Sequence, residues 1–269
     1  MSEPLVYGIW YFFIYAFLGW CVEVVFHTIT TGKWVNRGFL NGPVCPIYGV
    51  GMVLVLLALW PLRHNLFVLF LGSVVLTSTL ELITGWVLKT LFHTTWWDYS
   101  DEPFQLGGYI CLRFSLAWGV GGVFMVRIIH PVVHQLVHGI PVWVSAVLLS
   151  LFSLVFVLDF AATCATLAGF AQNLRELEAI AQHIHKASDQ LSHGLSDATL
   201  ATDKRVEEQL EKLPQTIAEL EMRRDFLQAS LVDGRLFGSG RLLRAFPRIK
   251  SGRYAMALEQ LREQLWHRN

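Results

Sequence analysis

The chain has 269 residues with 21 basic and 21 acidic side chains, so it lacks the net positive field that draws a protein to nucleic acid. Its 54% hydrophobic content exceeds the ordinary globular share of about 45–50%. The charge is unevenly spread: residues 1–169 hold six Lys or Arg and seven Asp or Glu, whereas residues 170–269 hold fifteen and fourteen. That shift divides the chain into a membrane domain over 1–169 and a soluble helical domain over 170–269.

A helix needs about 20 apolar residues to cross a bilayer. Five segments approach that length, at 7–29, 46–62, 66–91, 106–129 and 140–169. The first lacks a basic leader and is too long and aromatic for a cleaved signal, so it reads as a span. The second is short and starts within a run of four glycines and two prolines between Gly38 and Gly51, the signature of a broken or re-entrant element. Ser115, Gly119, Gly121 and Gly122 in the fourth suit close helix packing. Trp10, Trp34, Trp60, Trp96, Trp97 and Trp143 fall near span ends, as interfacial aromatics do. His130, His134 and His138 repeat every four residues and are read as solvent-facing. Asp159 stands alone in the fifth span, in a proton path or bonded to a neighbouring helix.

With five spans, the segments 30–45 and 92–105 and the tail share one side of the membrane. Lys33, Arg37, Lys89 and Arg175 flank that side, against Arg63 and Arg127 on the other, which predicts a cytoplasmic C-terminus. Beyond residue 170, Leu174, Leu177, Ala181, Ile184, Ser188, Leu191, Leu195 and Ala198 alternate spacings of three and four. Val206, Leu210, Leu213, Ile217, Leu220, Arg224, Leu227 and Leu231 resume the pattern. These are two heptad-like helices, and the slip between Gly194 and Thr202 favours an antiparallel hairpin. An amphipathic helix follows from about Tyr254 to His267. The basic run Arg241, Arg244, Arg248, Lys250 and Arg253 suits solvent or anionic lipid headgroups. The fold class is therefore all-α: a polytopic transmembrane helical bundle of about five spans with a C-terminal helical-hairpin or coiled-coil region.

The four cysteines, Cys21, Cys45, Cys111 and Cys164, have neither metal-type spacing nor a disulfide pattern. No GxxxxGK[ST], GxSxG or HExxH run occurs, so an ATPase would be a separate chain and the familiar hydrolase signatures are absent.

The blocks Phe17 to Glu23 (FLGWCVE), Asn36 to Gly49 (NRGFLNGPVCPIYG), Thr79 to Glu81, Trp96 to Tyr99 (WWDY) and Gly108 to Leu112 resemble the bacterial CmpB-like, ABC-transporter type IV family of membrane proteins. The resemblance covers roughly residues 10–170 and departs at Gln105, where the family has Asn followed by Leu. It implies a permease. It supplies no substrate.

Buried carboxylates shift their pKa upward and exchange protons near neutrality, and an ionisable residue inside a span is a functional candidate. Glu23, Asn36, Arg37, Asn41, Glu81, Asp98 and Arg113 therefore form the expected substrate- or ion-binding set, with Asp101 beside them. The structural alternative pairs Glu23 with Arg37 and Glu81 with Arg113 to make burial tolerable. Trp96, Trp97 and Asp98 either form a lid over a ligand, with Asp98 anchoring a loop or donating a ligand oxygen, or form an interfacial aromatic belt with a helix cap. Glu23 and His27, four residues apart, are the weak metal candidates. The expected function is a transporter or permease-like subunit in the bacterial cytoplasmic membrane, with a separate ATPase and a homodimer as partners besides the bilayer. The alternatives are a membrane-embedded enzyme acting on a lipid or prenyl substrate, or a scaffold recruiting partners through its coiled tail; no cofactor is specified.

Overall fold

Helices make up most of the computed structural model, which describes residues 3–197, 204–233, 237–246, 249–251 and 254–267. Side chains are described at 4–190, 213–233, 237–246, 249–251 and 254–261. The chain forms two compact units, Met1–Ala165 with Arg244–Lys250, and Thr166–Leu243 with Ser251–Asn269.

The first unit contains α1 (Glu3–Thr31), α2 (Pro46–Leu59), α3 (Leu66–Phe92), α4 (Leu112–Phe124), α5 (His130–His138) and the start of α6 (Val142–Asp197). Local chemistry sets their limits. Gly32, at a φ of 71°, ends α1 by returning its N–H to the Thr28 carbonyl. Pro46 opens α2. The Asn65 side chain caps α3 by accepting from the Phe67 and Val68 amides. Pro131 offers no N–H to the Arg127 carbonyl, and the helix widens into a π turn over Met125–Ile129 between α4 and α5.

Among the described residues, four helical stretches are long and apolar enough to cross a membrane: Pro4–Thr31, Leu66–Phe92, Leu112–His138 and Val142–Gln190. The second expected span is shorter, α2 plus a 3-10 turn to Leu62. It nevertheless reaches from the level of Glu23 to the level of His130. At its start Tyr48 meets Glu23 of α1, and at its end Trp60 packs on His130. Consequently the 32–45 and 93–104 segments lie at one end, where Phe39 meets Trp96, and Arg63 meets Arg127 at the other. The fourth span shifts C-terminally, because residues 105–111 form a small antiparallel hairpin, β1 (Gln105–Leu106) on β2 (Ile110–Cys111), with Gly107 and Gly108 at positive φ in its turn.

Close approach between helices comes from small residues. A Cβ on Gly19 would lie 2.2 Å from the Tyr48 ring, and one on Gly49 would lie 2.5 Å from the Phe12 carbonyl oxygen. Gly119 and Gly122 admit α3 in the same way, and Ser78 donates to Ser115 across that contact. The apolar core gathers Trp10, Tyr15, Met52, Val55, Leu69 and Val126. Outside it the unit is apolar again: Leu151, Leu154, Val155, Val157 and Leu158 of α6 are each more than half exposed. Such a continuous face is a lipid-facing surface.

Several expected interfacial residues are interior. Trp10 is 6% exposed and donates to Ser145 at 3.1 Å. His130 is 3% exposed and lies 2.8 Å from the Tyr15 hydroxyl. His134 and His138 remain on the surface, stacked at 3.9 Å. Trp96 is buried and so does not belong to an aromatic belt, while Trp97 is half-buried and donates to the Tyr109 carbonyl.

In the second unit, α6 continues unbroken from the apolar stretch to Asp197, and α7 (Lys204–Val232) follows, passing through Pro214. The Glu176–Arg223 ion pair sits about equally far from the intervening gap on both helices, so they run antiparallel. Leu174, Leu177 and Leu231 are buried, Leu213, Ile217, Leu220, Arg224 and Leu227 are half-buried, and Ser188 is exposed. The Leu191, Leu195, Val206 and Leu210 side chains, and Ala198 with the expected turn, lie outside the described residues. α8 (Ser239–Ala245) and α9 (Ala255–His267) complete the chain. Arg241 is 2% exposed and so is not a headgroup-facing cation; Arg248 and Arg253 lie outside the described residues.

Candidate functional site

The glycine-rich block between α1 and α2 is a loop tied to its surroundings through its own polar atoms. The Asn36 Oδ1 accepts from Trp20 Nε1 at 2.7 Å and from the Gly38 amide at 3.0 Å, while its Nδ2 donates to the Asn41 carbonyl at 2.8 Å. Asn41 and Gly42 then turn onto Asp159. That carboxylate accepts from the Asn41 amide (3.1 Å), the Asn41 Nδ2 (2.8 Å) and the Gly42 amide (2.7 Å). Thr163, one turn on, is reached by the same Asn41 amide group. The Cys45 amide fixes the end of the loop to the Ala16 carbonyl. Asp159 is thus an anchor for Asn41. It sits near the loop end because α6 starts at Val142 and climbs about 1.5 Å per residue. Its presence in an apolar span was the signal for it.

The two span acids converge. Glu23 of α1 accepts the Tyr48 hydroxyl at 2.5 Å, and its other oxygen lies 3.8 Å from Arg37 Nε. Glu81 of α3 accepts the Tyr99 hydroxyl at 3.2 Å, and its second oxygen is buried without a hydrogen-bond partner. Glu23 and Glu81 are close enough to act on each other electrostatically. Trp118 packs on Tyr48 and Phe114 stacks on Tyr99, so α4 supplies an aromatic wall to both carboxylate–tyrosine pairs. Burial and the neighbouring Glu81 push the Tyr99 hydroxyl well above its usual range, which keeps it protonated as a donor.

The expected Glu81–Arg113 pair does not form. Arg113, in the first turn of α4, is largely exposed; it lies 3.7 Å from Glu102 and over the Phe114 ring. Asp101 is exposed as well. Asp98 accepts from the Ser100 amide and hydroxyl, capping its own turn, and its second oxygen lies 2.6 Å from Lys250 Nζ. The Lys250 and Ser100 donors hold its pKa down at about 2. The hairpin turn beside it is closed by Gln105, whose Oε1 accepts from the Gly108 amide at 2.7 Å. Among the described residues no group of three or more His, Cys, Asp or Glu side chains is placed to hold a metal ion, and Glu23 is engaged by Tyr48 and Arg37 rather than His27.

Residues 10–164 match the family model described as Putative ABC-transporter type IV. No solved structure matches the chain.

Proposed function

We propose a function from one premise, that the chain belongs to the Putative ABC-transporter type IV family: it is the permease-like subunit of a transporter and binds a cation between Glu23 and Glu81. One observation carries this reading. Two acids on different helices act on each other electrostatically, Glu23 is held by the Tyr48 hydroxyl with Arg37 Nε at 3.8 Å, and Glu81 is held by the Tyr99 hydroxyl alone and keeps a buried oxygen with no hydrogen bond. An unpaired buried carboxylate oxygen is costly, and a proton, a metal cation or an organic ammonium group would relieve that cost. Tyr48 and Tyr99 orient the carboxylates, and the Trp118 and Phe114 rings favour a cation near them.

In this reading Asn36, Asn41 and Asp159 hold the loop that fixes Arg37 and Tyr48, and Asp98 and Arg113 stand outside the binding pair. The protein resides in the cytoplasmic membrane with its C-terminal unit in the cytoplasm, where a separate ATPase would act. Met222 and Phe226, exposed at a spacing of four on α7, suit a second copy of the chain.

Thermal unfolding of the purified protein across a series of Na⁺, K⁺ and alkylammonium salts tests the site, since a cation bound only by the folded state raises Tm. One cation should raise it by several degrees, and the Glu23→Gln and Glu81→Gln variants should lose that response while folding normally. If no cation acts and both variants retain cellular function at normal abundance, the acids are not a binding site.

A further inference from the structure

The segment Arg244–Lys250 is enclosed in sequence by the second unit but packs within the first. Its hold is specific. The Ala245 carbonyl accepts from Arg37 Nη1, and the Phe246 ring lies under the same guanidinium at 5.6 Å with an edge toward Trp96 at 5.0 Å. Lys250 forms a reciprocal antiparallel bridge with Thr95, at 2.7 and 2.8 Å, and its ammonium meets Asp98. Ala245 and Ile249 are 0% and 1% exposed.

Arg37 is the point where this segment meets the acid pair. A guanidinium satisfies a carboxylate best through two parallel N–H bonds. Arg37 instead turns its Nη1 to Ala245, keeps its Nε 3.8 Å from Glu23, and leaves that Nε buried without a hydrogen bond. With its Nη1 held on the Ala245 carbonyl, the guanidinium stops short of hydrogen-bond reach of Glu23, its Nε 3.8 Å from that carboxylate.

We propose that residues 244–246 with 249 and 250 are a positioning strap for the acid site: docked, they hold Arg37 back and leave Glu23 available to a ligand; released, they let Arg37 close on Glu23 and neutralise it. This rests on Glu23 being a binding acid. The strap thereby makes ligand binding answer to the C-terminal region, with Ala245 and Phe246 as positioning residues acting through Arg37.

The test uses full-length protein in lipid nanodiscs and needs no ligand. Hydrogen exchange at the Thr95 amide reports docking, and carbodiimide labelling of Glu23 with glycine ethyl ester reports its availability. The double variant Phe246→Ala, Lys250→Ala should speed Thr95 exchange about tenfold and lower Glu23 labelling at least threefold, with Glu81 labelling unchanged. Adding Arg37→Gln should restore Glu23 labelling without restoring Thr95 protection. A strap that stays protected in the double variant overturns the proposal, as does Glu23 labelling that is unchanged or raised on release, or labelling that Arg37→Gln fails to rescue. Should the strap behave as described while no cation raises Tm, the coupling stands and the binding reading is what fails.

Discussion

At the scale of residues, one carboxylate fixes the loop that orders the site. Asp159 receives three N–H groups, so Asp159→Ala strips them all of a charged acceptor, at a cost of about 2–4 kcal/mol. Asp159→Asn keeps one oxygen but turns an NH2 toward another donor, and its loss should be intermediate; thermal melts of both in detergent give the order. Asp98 sets an acid limit. Its folded pKa of about 2 lies below the ordinary value near 4, so its pairing stabilises the protein fully above that ordinary value and is lost as the pH falls from about 4 to 2. Because Lys250 is more than half exposed, the contribution is about 1 kcal/mol or less. Asp98→Asn should flatten that part of the melting-temperature profile between pH 5 and 2, leaving the rest of the acid limb in place.

Elements meet where side chains are missing or apolar. On Gly49 a Cβ would press on a backbone carbonyl, which cannot move without shifting α1, so Gly49→Ala should cost more than about 2 kcal/mol and reduce the protein found in membranes. Gly121 faces open space, and Gly121→Ala should be neutral or gain up to about 1 kcal/mol from helix propensity. Quantitative blotting of membrane fractions and melts of the two variants would separate packing from propensity. In the second unit Leu177 is 1% exposed and Leu220 is half-buried. Leu177→Asp should therefore cost about 3 kcal/mol or more and make the C-terminal region protease-sensitive, and Leu220→Asp about 1 kcal/mol; limited trypsin digestion of the full-length variants ranks them.

For the whole molecule, four long apolar helices and the shorter α2 bring the segments after α1 and α3 to one end. Single-cysteine labelling in membranes should therefore find positions near Thr31 and Trp97 on the same side. Opposite sides would mean that α2 does not cross. Light scattering of the detergent-solubilised protein tests the homodimer, which Phe226→Asp should weaken. The sequence by itself determined the apolar spans, the small-residue contact of the fourth span, the heptad-like helices and the Glu23–Arg37 neighbourhood. These follow from local composition, periodicity and short loop distances. Only the tertiary structure decided that Asp159 holds Asn41, that Arg113 leaves Glu81 for Glu102, that His130 is buried on Tyr15, and that Lys250 reaches Asp98. Each of those outcomes joins residues far apart in the chain. Which polar group finds which partner is set by helix start, phase and length, and a half-turn error in any of them points a side chain at a different neighbour.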